Sequence, residues 1–150
     1  LHDDNANLGI GKSNLLRDGK DLLVLGVGPI LHSALKASDM LQDQGFSIAV
    51  ASVGCVKPLD STFLTDMSNR FPLWISLEEH SKIGGLGSAL LEWLQNNGLN
   101  KEIDIRRLGT PDDFLHRLGN QDFMRKSLSL DSEGLASQFC SILTSRKDNG

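Results

Sequence analysis

No block of positive charge occurs in these 150 residues, where 15 Lys and Arg stand against 19 Asp and Glu for a net charge of −4. Nucleic-acid binders usually carry a clustered basic footprint, so a nucleic-acid partner is not expected. No apolar run approaches the roughly 20 residues that a bilayer-crossing helix needs, and no membrane partner is expected either. The opening Leu1-His2-Asp3-Asp4 does not read as a secretory leader, and none is expected. Cysteine is scarce: Cys55 and Cys140 lie far apart, with no C-x-x-C pair and no histidine at zinc-ligand spacing. Both read as reduced thiols in apolar surroundings, which favours a cytoplasmic location. The phosphate-cradling G-x-x-x-x-G-K-[ST] loop and the G-x-S-x-G elbow are both missing. Gly26-x-Gly28 has two glycines of a dinucleotide fingerprint, but the third is replaced by Leu31 and residues 46–53 hold no carboxylate for a ribose.

Hydrophobic residues make up 39% and charged residues 23%, ordinary values for one globular domain. Residues 1–10 are polar and aperiodic and read as a linker or arm, residues 11–145 as the domain and 146–150 as a frayed tail. The chain opens on Leu1, and the expectation is a piece of a longer polypeptide. Asn14–Arg17 and Leu22–Val27 read as strands separated by Asp18-Gly19. A D-G pair between apolar runs signals a hairpin, so the first strand is predicted antiparallel to the second, at a sheet edge. Asp21–Gly28 is nearly continuously apolar, as in strands buried on both faces. Pro29 opens a helix to Gln44, and Gly45 suits its C-terminal end. Further strands are predicted over Ser47–Val53, Leu73–Leu77 and Ile103–Leu108, the last half-exposed at the other edge. Helices are predicted over Ser61–Asn69 with Asp60 as cap, Gly85–Asn96 ended by Gly98, Asp122–Leu128, and Ser132–Thr144 capped by Asp131 or Ser132. Alternating strands and helices predict a sheet covered on both faces, with right-handed crossovers.

The central stretch is Glu78-Glu79-His80-Ser81-Lys82-Ile83-Gly84-Gly85-Leu86-Gly87-Ser88-Ala89, between a strand and a helix. Open α/β sheets gather polar function outside the carboxyl ends of their strands. Glu78, Glu79 and His80 suit acid/base work, since a carboxylate beside an imidazole tunes either group. The plainer reading is a hydrogen-bonded strand end that anchors a turn or a subunit contact, and it is preferred because no nucleophile accompanies them. Gly84, Gly85 and Gly87 offer backbone N–H groups at a helix start, an anion site. Alternatively Gly84, Gly85, Ser88 and Ala89 let another element approach closely, with a subunit interface as the setting; packing is the preferred reading. The candidate interface or anion site is therefore Glu78, Glu79, His80, Gly84, Gly85, Gly87 and Ser88.

E-E-H-S-x-x-G-G-L-G-S-A also resembles a segment in the C-terminal domain of the transketolase family of thiamine-diphosphate enzymes. Gly11–Asp21 is similar to that domain's entry, Val56-Lys57-Pro58-Leu59-Asp60 to its K-P-L-D strand exit, and Gly109–Phe114 to its G-x-x-D-x-F loop. The resemblance covers residues 11–143. It implies a three-layer α/β/α fold with a five-stranded mixed sheet, four strands parallel and one antiparallel at an edge. It implies an enzyme that moves two-carbon ketol units between sugar phosphates with thiamine diphosphate and Mg²⁺, with this domain serving assembly and the stability of a homodimer. The family's G-D-G…N segment for the metal-bound diphosphate is missing, so no catalytic, cofactor-binding or metal residue is expected here. The E-E-H-S form leans towards transketolase. The corresponding domain of deoxyxylulose-phosphate synthase, or of a 2-oxoacid dehydrogenase beta subunit with its acyltransferase partner, remains open. So does a self-sufficient small-anion module around Gly28, His80 and Gly84.

Overall fold

The computed structural model describes residues 11–81, 83–110 and 121–148, with the side chains of His80, Ser81, Gln121, Lys147 and Asp148 left out. The predicted arm at 1–10 and the loop at Pro111–Phe114 lie outside the described residues. The elements run β1 (Asn14–Arg17), β2 (Leu22–Gly26), α1 (Ile30–Gln42), β3 (Ile48–Ser52), α2 (Ser61–Arg70), β4 (Leu73–Ser81), α3 (Leu86–Asn96), β5 (Asp104–Thr110), α4 (Gln121–Ser127) and α5 (Ser132–Asp148). The five strands form one sheet in the order β1-β3-β2-β4-β5. β3, β2, β4 and β5 are mutually parallel, and β1 is antiparallel at the edge.

β2 shows why its sequence lacks alternation. Leu22 and Val24 enter an apolar cluster with Ile30, Ala34 and Leu41 of α1 and Leu135 and Phe139 of α5. Leu23 and Leu25 face the other way, towards Leu64 and Met67 of α2 and Leu90 and Leu94 of α3. Successive strand side chains point to opposite faces, so a strand covered on both sides must be apolar at every position. Trp74 of β4 and Trp93 of α3 stack in the second cluster, their ring centroids 6.3 Å apart. The Trp93 Nε1–H reaches Ser61 Oγ at 3.0 Å, tying α3 to the start of α2.

Asp18-Gly19 does not form the predicted hairpin. β1 is antiparallel and marginal, but its partner is β3, which lies between it and β2. The reason is a close backbone crossing. A Cβ on Gly19 would stand 2.3 Å from the Ala49 nitrogen and 2.5 Å from the Ile48 carbonyl carbon. The Lys20 and Asp21 N–H groups both donate to Ser47 O, at 3.0 and 2.9 Å, and the Ser47 N–H donates to Asp21 Oδ2 at 2.7 Å. The D-G segment is therefore bound to the entry of β3, and Gly19 is used for its missing side chain. It lacks the positive φ that a type I′ turn needs.

Several ends follow their local chemistry. The Phe63 N–H donates to Asp60 Oδ1 at 3.2 Å, so Asp60 caps α2. Gly45 has φ +86 and its N–H donates to Gln42 O at 2.9 Å, closing α1. The Gly134 N–H donates to Asp131 Oδ1 at 3.0 Å, which makes Asp131 the cap of α5. α5 continues to Asp148, past the predicted end at Thr144 and beyond Leu143, the last residue of its apolar stripe. β4 likewise outlasts its apolar run and includes Glu78, Glu79, His80 and Ser81.

Candidate functional site at the carboxyl ends of the strands

β2 leads to α1 on one face of the sheet, while its neighbour β4 leads to α3 on the other. The chain thus diverges between adjacent parallel strands, the place where open α/β sheets leave a crevice. Pairing between β2 and β4 stops at Gly26 and Leu77, and β4 runs on beside β5 alone. Glu78 to Ser81 therefore project past the end of β2. A cleft of about 200 Å³ opens there, walled by Val27, Pro29, Val56 and Leu86, with Glu78 and Gly85 also lining it.

Glu78 and Glu79 are adjacent on a strand, so their side chains leave on opposite sides. They do not form a carboxylate pair. Glu78 turns towards α3 and is 5% exposed. Its Oε2 accepts a hydrogen bond from the Gly87 N–H at 3.3 Å. It thus serves as the cap of α3, whose own N-cap residue, Gly85, has no side chain to offer. A carboxylate also suits the positive end of the helix dipole. Its Oε1 is buried with no hydrogen-bond partner among the described residues.

Glu79 turns the other way and pairs with Arg125 of α4 at 2.6 Å, both side chains mostly buried. That pairing, and then the nearby charges of Glu79 and Asp122, raise the Arg125 pKa against the opposing effect of burial. Arg125 went unnoticed in the sequence because its partner is 46 residues away.

Each residue of the glycine cluster has a separate duty. Gly84 adopts φ +77, which strains any residue with a Cβ. Its N–H donates to Ser88 Oγ at 3.0 Å, so Ser88 closes the turn. A Cβ on Gly85 would lie 2.1 Å from Glu78 Oε1, and one on Gly87 would lie 2.6 Å from Ser76 Oγ and 2.7 Å from Arg107 Cδ. The cluster is shaped for contacts within the domain. His80 lies on β4, three residues past the last β2 partner. Val27 and Val56 carry no signal of their own as walls of the cleft: Val27 directly follows β2, at the end of its predicted strand, and Val56 stands in the connection after β3.

Topology and site together define a doubly wound α/β domain whose strand-end helix is capped by its own carboxylate. Residues 11–135 match the family model for the transketolase C-terminal domain, and the chain belongs to that family. It is 41% identical over 115 residues to 1-deoxy-D-xylulose-5-phosphate synthase of Halothermothrix orenii, an alignment covering 77% of this chain and 18% of that one. It is 34% identical over 135 residues to a Methanocaldococcus jannaschii chain named as a transketolase C-terminal section, covering 90% of this chain and 41% of that one. Among solved structures it resembles a split-gene transketolase described as an inactive beta4 tetramer. The TM-score is 0.81 at 25% identity, over 95% of this chain and 46% of that chain. The chain spans about a fifth of the length of the 1-deoxy-D-xylulose-5-phosphate synthases it matches.

Proposed function

We propose that this chain is the assembly domain of a transketolase-type thiamine-diphosphate enzyme, with 1-deoxy-D-xylulose-5-phosphate synthase the best-supported member. The observation that carries the reading is the contact of Glu78 with Gly85 and Gly87, which commits the glycine cluster to internal packing. The cluster builds a rigid strand end rather than a reaction centre. Around it Val27 is 36% and Ile83 66% exposed, apolar side chains that a neighbouring polypeptide would cover in this reading.

The residues here do not fit the family's cofactor. Among the described residues no three His, Cys, Asp or Glu side chains gather as a divalent-metal site. The start of α3, the natural place for a diphosphate, already faces the Glu78 carboxylate, which would repel one. Thiamine diphosphate and Mg²⁺ belong, in this proposal, to preceding domains and a second subunit of a homodimer. There they would support the transfer of a two-carbon ketol unit in the cytoplasm. Residues 1–10 would be the connection and 11–145 the domain. A small-anion module working alone has less support, because the Gly87 amide is already engaged. A 2-oxoacid dehydrogenase beta subunit has none among the relatives named above.

Domain replacement tests the proposal. The Halothermothrix orenii synthase is prepared without its matching C-terminal region, and again with this chain fused in its place. Mass by light scattering and synthase activity should fall in the first and return in the second. A truncated enzyme that keeps its mass and activity, or an isolated chain that is active unaided, would refute it.

A further inference from the structure

We propose that β1 is a strap that seats and unseats as a unit, and that Asp60 ties its seating to the first turn of α2. The position of the entry strand is thereby felt by α2 and α3, the helices on one face of the sheet. The inference goes beyond the assembly reading and does not depend on it, because every contact it uses lies within this chain. β1 has the marks of an element that opens before the rest. All four of its residues are half-buried, whereas all five of β2 are buried. It pairs with β3 alone, and the register shifts between Leu15 and Arg17. A short edge strand with little buried apolar surface belongs to the low-stability end of a fold. Just after it, Lys20 and Asp21 are bound to Ser47, which makes a fixed hinge at its far end.

At the near end one carboxylate serves two elements. Asp60 Oδ2 accepts the N–H of Ser13, the residue just before β1, at 3.0 Å, and Oδ1 accepts the Phe63 N–H of α2 at 3.2 Å. Lys12 Nζ stands 3.8 Å from Oδ1, and the Asp60 side chain is 7% exposed. A Cβ on Gly54, in the same connection from β3 to α2, would lie 2.0 Å from Lys12 O, so the entering segment is pressed against that connection as well. Withdrawal of Lys12 and Ser13 frees the carboxylate to turn away from Phe63, so each contact holds the other in place. The next residue, Ser61, accepts the Trp93 Nε1–H and carries the tie on to α3.

The test is amide hydrogen exchange in the 150-residue chain and in its Leu16→Ala variant. Leu16 packs on the cluster that α1 and α5 build, with the sheet between it and Leu64 and Met67 of α2. The truncation should speed exchange of the β1 amides about tenfold. Phe63 and Leu64, in the first turn of α2, should follow by about threefold or more, while Leu23, Val24 and Leu25 of β2 keep their rates. A carboxamide has a single acceptor oxygen and cannot divide itself between the two N–H groups as the carboxylate does. In an Asp60→Asn background Leu16→Ala should therefore loosen β1 without moving Phe63 and Leu64 further. If Asp60→Asn fails to fold, Leu16→Ala alone decides. The inference is overturned if Leu16→Ala leaves β1 or the start of α2 at its original rate, or loosens β2 as much as β1. A response of Phe63 and Leu64 that persists in the Asp60→Asn background overturns it as well.

Discussion

The carboxylate of Glu78 fills the space that a side chain on Gly85 would need: a Cβ there would stand 2.1 Å from Oε1, 2.7 Å from Cδ and 2.8 Å from Oε2. Because Glu78 is almost wholly buried, it has little room to yield. Gly85→Ala should therefore destabilise the chain by about 1–3 kcal/mol in urea unfolding, as overpacking does. In a Glu78→Ala background the same change should cost less than about 0.5 kcal/mol. A cycle with no coupling between the two sites would contradict the contact.

Gly19 offers a sharper contrast. An alanine there meets backbone, with the Ala49 nitrogen 2.3 Å away, and backbone cannot swing aside. Gly19→Ala should cost at least about 3 kcal/mol and loosen β1 from β3. In a free hairpin turn the penalty would be only about 1 kcal/mol. Denaturation of the two proteins separates these values.

Asp60 makes stability depend on acidity. Its carboxylate is held below the usual range first by the Ser13 N–H, then by the Phe63 N–H and the charge of Lys12, while burial opposes them. A folded pKa below the unfolded one stabilises the protein at pH values above the unfolded pKa, about 4. That contribution disappears as pH falls from there through the folded value. Asp60→Ala should cost about 1–2 kcal/mol at pH 7. The gap between the two proteins should narrow below about pH 4 in urea midpoints measured from pH 7 to 3.

Arg125 and Glu79 join α4 to the end of β4. Glu79→Ala leaves a mostly buried guanidinium without its acceptor, which should raise amide hydrogen exchange across α4 by about tenfold or more. The central strands β2 and β3 should keep their protection. Equal loss of protection in both regions would show that the pair supports the whole fold instead.

Most of the architecture was legible because burial leaves a direct imprint. β2 and β3 carry unbroken apolar runs, and Pro29, Gly45, Asp60 and Asp131 mark helix ends by their own backbone or capping chemistry. The alternation expected of β5 is not kept, since Arg106 and Arg107 are both exposed. The neighbour of β1 was not legible. Asp18-Gly19 has the composition of a hairpin turn, and only the crossing beside Ala49 shows that the glycine serves another need. The site was half legible. Two-residue periodicity already separates Glu78 from Glu79, which weakens any joint acid/base role. What each one meets was hidden, because Gly87 lies around a turn and Arg125 in a distant helix.

The stacked Trp74 and Trp93 have a practical consequence, since the chain has two tryptophans and no tyrosine. Ultraviolet-excited emission from this protein comes essentially from one stack, on the side of the sheet that carries α2 and α3. A fluorescence melt therefore watches that half of the molecule, and loosening of α5 on the opposite side would pass unseen by the dyes that nature built in.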